Sequence, residues 1–381
     1  MINLLLILST ALIGRKLCQR IRQPIILGEL LAGIALAGIG VAQLTEPVQF
    51  IADLGILILL FSTGLAVDFD ELKRLGRPSA IIAFTGAFFP FALGYAFAIF
   101  SGFSFLQAFF IGSVLVATSI GVSAAILSEA GMLKTRLGTL IMGSAVFDDI
   151  IGVLVLGFLT GLVGGAIIWE ETILLVVLTA LFFSLSLFFV TKIMARISRF
   201  VVFKAENLIL LGLVITLIYA LVAKQIGLEL VIGAFLGGLV LGQSRYSRDL
   251  LENISVFGES FFIPVFFVTV GMQFDPSAFG TLGFISALLI IIAIAGKIIG
   301  CFLGSIISRF DSKEALVIGI AMIPRAEIAI VITGIGLATN IIDKSIASSI
   351  LAMVLVTTLI TPPLLAKALK RLKKSSKNNF N

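Results

Sequence analysis

Two adjacent aspartates, Asp148 and Asp149, interrupt the apolar stretch GSAVFDDIIGVLVL at residues 143–156. A charge at the centre of a bilayer costs at least about 2.5–3.5 kcal/mol, so such residues are retained for function or for a specific pair. Carboxylates offer hard oxygen ligands to a cation and can also hold protons. Because neighbours on a helix lie about 100° apart, one aspartate can face a cation pathway while the other meets a basic partner. The alternatives are a proton relay and a solvated pair at a helix end.

Further charges lie inside or at the edge of apolar segments. Lys297, in IIAIAGKIIGCFLG, is interpreted as an ionised lysine beside an aspartate, with snorkelling or a purely structural ion pair as alternatives. Arg325 and Glu327, in AMIPRAEIAIVI, are two residues apart and so lie on nearly opposite helix faces. Each is predicted to brace another element. Glu259 is predicted near a span start, where a helix N-terminus favours an acid, and for it and Glu29 a packing or capping role is favoured over transport.

The composition identifies the kind of molecule that must hold these charges. Of 381 residues, 59% are hydrophobic and 13% are charged, and the mean hydropathy is +1.20. Soluble domains are about 45–50% apolar and about 25% charged, so the chain is predicted to be an all-α polytopic membrane protein. Long runs of Leu, Ile, Val and Phe indicate helices and not the short alternating strands of a barrel. The predicted helices number about thirteen and cover residues 2–18, 24–42, 50–67, 78–101, 104–128, 137–164, 170–194, 206–223, 228–242, 254–272, 277–307, 313–339 and 344–366.

Lysine and arginine are divided unevenly between alternate loops. Twenty-three of the 27 basic residues fall in one set of loops or in the C-terminal tail, whereas the opposite loops hold only Lys224 and Lys344. Since cytoplasmic loops are enriched in Lys and Arg, the N-terminus is predicted to lie outside and the C-terminus in the cytoplasm of a cell-membrane protein. The charges sit in short loops, which disfavours nucleic-acid binding. Residues 1–366 are predicted to form a membrane transporter domain, followed by a basic cytoplasmic tail at 367–381.

Several classes of site are not indicated by the sequence. Cys18 and Cys301 lie at or in membrane segments and carry no disulfide or metal-site signal. No nucleotide-binding or hydrolytic motif points to an enzyme or to a cofactor. The chain contains no histidine, so any pH response is expected from carboxylates and Lys297.

Two predicted spans carry signs of interruption. The stretch VLVATSIGVSAAIL (114–127) has hydroxyl side chains and a glycine, and IAMIPRAEIAIVI (320–332) has Pro324 in mid-span. Proline removes a backbone donor and clashes with the preceding turn. Interrupted helices at corresponding places in two halves are typical of transporter binding sites. Thirteen spans divide as six, a linker and six, which makes span five correspond to span twelve and inverts the second half.

These stretches together resemble a monovalent cation/proton antiporter of the branch that contains bacterial Na⁺/H⁺ and K⁺/H⁺ exchangers. The resemblance covers about residues 2–366 and rests on the motifs AVFDDIIGVLVL, VATS, AIAGKIIG, IPRAEIAIVI, IPVFFVTVGM and GELLAGIAL. It implies an NhaA-type fold with two inverted six-helix repeats and crossed broken helices. A mobile core, here residues 78–164 and 277–366, would move against a scaffold of the remaining spans, through which such proteins form homodimers.

The resemblance also implies roles for individual residues. Asp149 would be the main carrier of cation and proton, and Asp148 would pair with Lys297. Thr118 and Ser119 would line the crossing and join the aspartates as cation ligands. Arg325 and Glu327 would match the basic and acidic pair of the second broken span, with Glu259 as a further supporting charge.

The expected function is exchange of Na⁺ or Li⁺ for H⁺ by alternating access, with an electrogenic stoichiometry. K⁺/H⁺ members of the branch commonly carry Gln-Asp in place of Asp148-Asp149 and a soluble nucleotide-binding domain, and this sequence has neither. A K⁺/H⁺ antiporter and a Na⁺-coupled symporter of organic anions remain as alternatives.

Overall fold

The computed structural model describes residues 2–40, 42–116, 118–163, 169–188, 205–244, 246–273, 283–325 and 327–378. Regular structure within these ranges is helical throughout. The α-helices are α1 Ile2–Arg20, α2 Ile25–Ile39, α3 Glu46–Ala66, α4 Phe69–Phe100, α5 Phe105–Val114, α6 Ile120–Glu129, α7 Arg136–Val163, α8 Trp169–Phe188, α9 Ala205–Ile226, α10 Leu230–Gly242, α11 Ser247–Phe257, α12 Ile263–Met272, α13 Phe284–Ile307, α14 Ser312–Ala321, α15 Glu327–Ala338 and α16 Lys344–Asn378. A single turn of π-helix at Gly258–Phe262, named the π-turn, joins α11 to α12.

The helices fit a chain that crosses a bilayer several times. Within the described ranges, eight helical segments are long and apolar enough to span a membrane, and shorter apolar helices stand between them. The prediction of an all-helical, multi-pass membrane protein is therefore confirmed. Both predicted interruptions are present: α5 ends at Val114 before α6 begins at Ile120, and α14 ends at Ala321 before α15 begins at Glu327.

The helices pack in two groups. One group is built around α4, which packs against α5, α7 and α13, while α13 packs in turn against α14 and α16. The other is built around α3, which packs against α10 and α12, with α2 between α1 and α12. Contacts of α6 with α3, and of α16 with α2, join the two groups. The paired aspartates, on α7, and Lys297, on α13, both belong to the first group.

The contact between α4 and α13 is unusually close because glycines line it. A Cβ atom on Gly300 would lie 2.4 Å from the carbonyl oxygen of Thr85, and one on Gly296 would lie 3.0 Å from Cα of Pro90. Backbones can approach this closely only where side chains are absent, as is common at helix contacts in membranes. The close contact brings Lys297, between these glycines, against α4 and towards α7.

Two helices extend beyond their predicted spans. The span predicted from residue 254 begins at Ser247, because the amphipathic segment SRDLLENISVF buries Leu250 and Ile254 and continues the helix. Glu259 therefore lies inside a continuous helical segment and not near its N-terminus. At the C-terminus, α16 extends through the predicted tail to Asn378. Five basic residues assigned to loops lie outside the described residues: Lys192, Arg196, Arg199, Lys204 and Arg245.

Candidate functional site

The two helix interruptions meet and satisfy each other's backbone. A helix end leaves N–H and C=O groups without intrahelical partners, and these must be paired when they are buried. The backbone N–H of Ser119 donates to the carbonyl oxygen of Pro324 over 2.7 Å. The hydroxyl of Thr118 approaches the carbonyl of Met322 at 3.5 Å, and the hydroxyl of Ser123 donates to the carbonyl of Ala321. The residues of the VATS stretch thus pair with the residues around Pro324.

A fully buried ion pair lies beside this meeting point. Lys297 Nζ, on α13, lies 2.7 Å from Asp148 Oδ1, on α7, and neither side chain has any exposed surface. The structure therefore has the pair that the sequence resemblance implied. The second oxygen of Asp148, Oδ2, is buried and accepts no hydrogen bond from any described residue. Within the pair, each charge offsets the desolvation of the other, which alone would be several kcal/mol in an apolar interior.

The carbonyl of Val116 connects the ion pair to the interruptions. This oxygen, just beyond the C-terminus of α5, accepts hydrogen bonds from Lys297 Nζ at 3.1 Å and from a guanidinium nitrogen of Arg325 at 2.8 Å. A helix C-terminus carries a partial negative charge and favours cations. The end of α5 is therefore a counter-charge for two buried basic groups. Thr358 of α16 donates to the backbone carbonyl of Arg325 over 2.9 Å and fixes the second interruption from the other side.

Asp149 follows Asp148 on α7 and is buried, with 2% of its surface exposed. Its neighbour is directed to Lys297, and a rotation of about 100° per residue gives Asp149 a different face of α7. The described residues contain no group of three or more acidic or cysteine side chains that could hold a metal ion.

Of the two predicted supporting charges, one has a side chain that is not described and the other lies away from this cluster. Glu327 is the first residue of α15, and its side chain lies outside the described residues. Glu259 is exposed in the π-turn, where its backbone carbonyl accepts a hydrogen bond from Arg15 at 2.9 Å. Arg15 also pairs with Glu29, whose side chain is 1% exposed. That contact joins α1, α2 and the π-turn, in the second packing group.

Comparison with known sequences identifies the family to which the chain belongs. The pattern of the family described as "Sodium/hydrogen exchanger, transmembrane" matches residues 5–370. The chain belongs to the sodium/hydrogen exchanger family.

Relatives in this family share about a third of the sequence along nearly their whole length. A protein of Enterococcus hirae named Na⁺/H⁺ antiporter is 34% identical, with 95% of this chain and 96% of that protein covered. The Bacillus cereus protein GerN, named a Na⁺/H⁺-K⁺ antiporter, is 32% identical, with 95% and 94% covered. Among solved structures, the sodium proton antiporter MjNhaP1 of Methanocaldococcus jannaschii has the same fold, with a TM-score of 0.63 at 17% identity, over 96% of this chain and 97% of that one.

Some members of the site could not be identified from side-chain chemistry. Val116 contributes only a carbonyl, and its one sequence signal was its place at the start of VATS. Thr358 had a visible signal, because hydroxyl residues recur in TTLITPP within an apolar span. Ser123 was noted as a sign of interruption, and the structure adds its partner, Ala321.

Proposed function

We propose that this exchanger exports Na⁺, or Li⁺, in exchange for external H⁺ by alternating access, and so serves pH homeostasis. The observation that carries the proposal is the buried pair of Asp148 and Lys297 beside a second buried carboxylate, Asp149, where two interrupted helices meet. Asp149 is the proposed carrier of both ions. Thr118 and Ser119 are the proposed neighbouring ligands of Na⁺.

The charge balance of these helices explains how the two ions can be coupled. Asp148 is paired with Lys297, and Asp149 is the carboxylate that a cation or a proton would neutralise. While Lys297 keeps its proton, one Na⁺ or one H⁺ on Asp149 gives the site the same net charge. An uncompensated charge costs several kcal/mol in apolar surroundings, so a loaded core moves more readily than an empty one. The two ions therefore compete for one site and alternate across the membrane.

The behaviour of Lys297 sets the proposed stoichiometry. If Na⁺ attracts the carboxylate of Asp148 away from Lys297 and Lys297 then releases its proton, two protons move for each Na⁺ and exchange is electrogenic. Each net charge moved is then worth about 2.3 kcal/mol per 100 mV of membrane potential. If Lys297 keeps its proton throughout, exchange is electroneutral. We propose the electrogenic form, as the Asp-Asp and lysine pattern resembles it.

We further propose the finer architecture that the sequence predicts. In it, thirteen spans form two inverted repeats of six with crossed interrupted helices. Residues 78–164 and 277–366 form the moving core, the remaining spans form a scaffold that pairs in a homodimer, and the basic tail is cytoplasmic. The separate packing of the helices around α4 and around α3 supports this division. The protein would lie in the cell membrane with its N-terminus outside, without enzymatic activity or cofactor.

A K⁺/H⁺ antiporter is the second candidate, because the name of the relative GerN includes K⁺. A Na⁺-coupled symporter of organic anions is a third, and it would need a roomier substrate cavity.

Proteoliposomes that contain a pH-sensitive dye separate all three. Imposed Na⁺ or K⁺ gradients are applied first at zero potential and then at a fixed potential. We expect proton movement with Na⁺ and not K⁺, accelerated by potential. Movement with K⁺ alone would reassign the substrate, and no cation-driven proton movement would refute the proposal.

A further inference from the structure

A strongly basic cavity lies away from the aspartates, between the turn after α1 and the C-terminal part of α16. Its volume is about 540 Å³. Its lining includes four cationic side chains and no carboxylate: Arg22, Lys367, Lys370 and Arg371, together with Gln23, Pro363, Leu364 and Ala366. Like charges repel one another, so four of them around one cavity favour an anionic occupant.

The positions on α16 follow the helical repeat. One face of the helix carries Pro363, Lys367 and Lys370, which are four and then three residues apart. Ala366 lies on the same face. The ion pairs among the described residues include none of the four cations. The carboxylate of Glu129 interacts electrostatically with Lys370 but does not line the cavity. The enrichment of basic residues in cytoplasmic loops accounts for their number but not for their convergence on one cavity.

Arg22 occupies a backbone conformation that its side chain disfavours. Its φ is +56°, in the left-handed region where glycine is the usual residue at a helix C-terminus. The turn is closed by hydrogen bonds from the N–H of Arg22 to the carbonyl of Gln19 and from the N–H of Gln23 to that of Cys18. Arg309 has the same kind of turn after α13, with φ +65°, but does not line the cavity. Glycine would serve the turn better at residue 22, and arginine brings a guanidinium into the lining.

We infer that this cavity binds a phosphate-bearing anion. Guanidinium groups recognise phosphate oxygens with two parallel hydrogen bonds, and lysines add point charges, which matches two arginines and two lysines. Leu364, 39% exposed, lies in the same lining at the end of a membrane helix, which favours the headgroup of an anionic phospholipid as the source. A soluble phosphate compound has the same recognition chemistry. Since the cavity joins the α1–α2 turn to α16, its occupant would hold the two packing groups together.

The test measures binding without any ion gradient, so its result is independent of the proposed transport. Purified protein in zwitterionic detergent is titrated with dioctanoyl phosphatidylglycerol, with dioctanoyl phosphatidylcholine, and with inorganic pyrophosphate. We expect phosphatidylglycerol to bind more tightly than phosphatidylcholine. Binding of pyrophosphate with the same dependence on the variants below would support the inference with a soluble source. Equal affinity for the two lipids, with no binding of pyrophosphate, would overturn it.

Two pairs of variants connect binding to this cavity. Arg22→Gly removes one guanidinium while giving the turn its preferred residue, and should weaken binding about tenfold, a loss typical of one charged contact. Its matched control, Arg309→Gly, removes the same charge from the same type of turn and should leave affinity unchanged. The double variant Lys367→Gln/Lys370→Gln should also weaken binding, whereas Lys73→Gln/Arg77→Gln, in the N-terminal part of α4 and outside the lining, should not. Equal losses in variant and control would show a general charge effect and overturn the inference. If Arg22→Gly fails to fold, the double variants decide the result.

Discussion

At the scale of single residues, the buried pair of Asp148 and Lys297 is the feature on which the site depends. Both side chains are fully buried, so neither ion can be rehydrated without an opening of the helices. Such a pair adds little net stability over an apolar contact, because desolvation cancels much of the attraction. Removal of one partner is different, since it leaves the other charge buried and uncompensated.

This asymmetry predicts the result of a double-mutant cycle. Asp148→Asn or Lys297→Gln alone should destabilise the protein by about 3–5 kcal/mol, or less if the remaining ion becomes neutral. The double variant should lose less than the sum of the two, as residues in one ion pair are not additive. Thermal unfolding of the purified variants measures both effects. Additive losses would mean that the two residues do not stabilise each other.

Asp149 is predicted to be indispensable for exchange. Asp149→Asn removes the carboxylate that would bind Na⁺ or H⁺ while nearly preserving its volume, so it should abolish Na⁺-driven proton movement in proteoliposomes. Asp53→Asn is the matched control, because Asp53 is an exposed aspartate of α3 whose neighbour is Gln49. The control should retain exchange. An active Asp149→Asn protein would remove Asp149 from the mechanism.

The charged residues of the site could be identified from the sequence, but one of their main hydrogen-bond partners, the carbonyl of Val116, could not. A charged residue in an apolar span is conspicuous because its burial in the membrane costs free energy. Asp148, Asp149, Lys297 and Arg325 were all identified for this reason. The Val116 carbonyl has no such signal, since every residue has a carbonyl. Its role arises from the end of α5 and from the approach of two side chains distant in sequence.

At the scale of helices, the interruptions were predictable but their pairing was not. Pro324 predicts a break because it cannot complete the helical ladder, and the hydroxyls of the VATS region suggest another. The hydrogen bond from Ser119 to Pro324 depends on how α5, α6, α14 and α15 pack, which local sequence does not specify. The start of α11 was missed for a related reason: hydropathy detects apolar length, whereas this helix starts with an amphipathic turn.

The glycine contact between α4 and α13 is predicted to fix the position of Lys297. Gly300→Ala would set a methyl group 2.4 Å from the carbonyl oxygen of Thr85, and the helices would have to separate. We expect a loss of about 1–3 kcal/mol in stability, the usual range for overpacking, and slower exchange. Gly334→Ala is the control, since a methyl group there meets no atom within 4 Å and improves helix propensity. Thermal unfolding and proteoliposome exchange measure the two effects, and equal behaviour of both variants would contradict this role.

At the scale of the whole molecule, the apolar segments predicted most helices because the bilayer imposes one requirement on all of them. Each span must satisfy its own backbone and expose apolar side chains, so length and hydropathy identify it. Division into two packing groups is a different matter. It depends on which helices contact one another, and the nearly uniform apolar surfaces of these spans carry little information about that choice.

The orientation of the chain gives a last prediction, which also tests whether an interrupted helix pair crosses the membrane. Ser312 begins α14 and Ser345 lies in the first turn of α16; both are exposed, and α14 and α15 lie between them. Ser345→Cys should react with an impermeant maleimide in intact cells, and Ser312→Cys only after permeabilisation, because basic loops favour the cytoplasm. Cys18 and Cys301 are buried and should add little background. Labelling of both sites from one side would mean that α14 and α15 enter and leave by the same face, which would contradict the thirteen-span topology. Labelling of Ser312→Cys in intact cells, with Ser345→Cys labelled only after permeabilisation, would mean that α14 and α15 cross the membrane but that the protein has the opposite orientation.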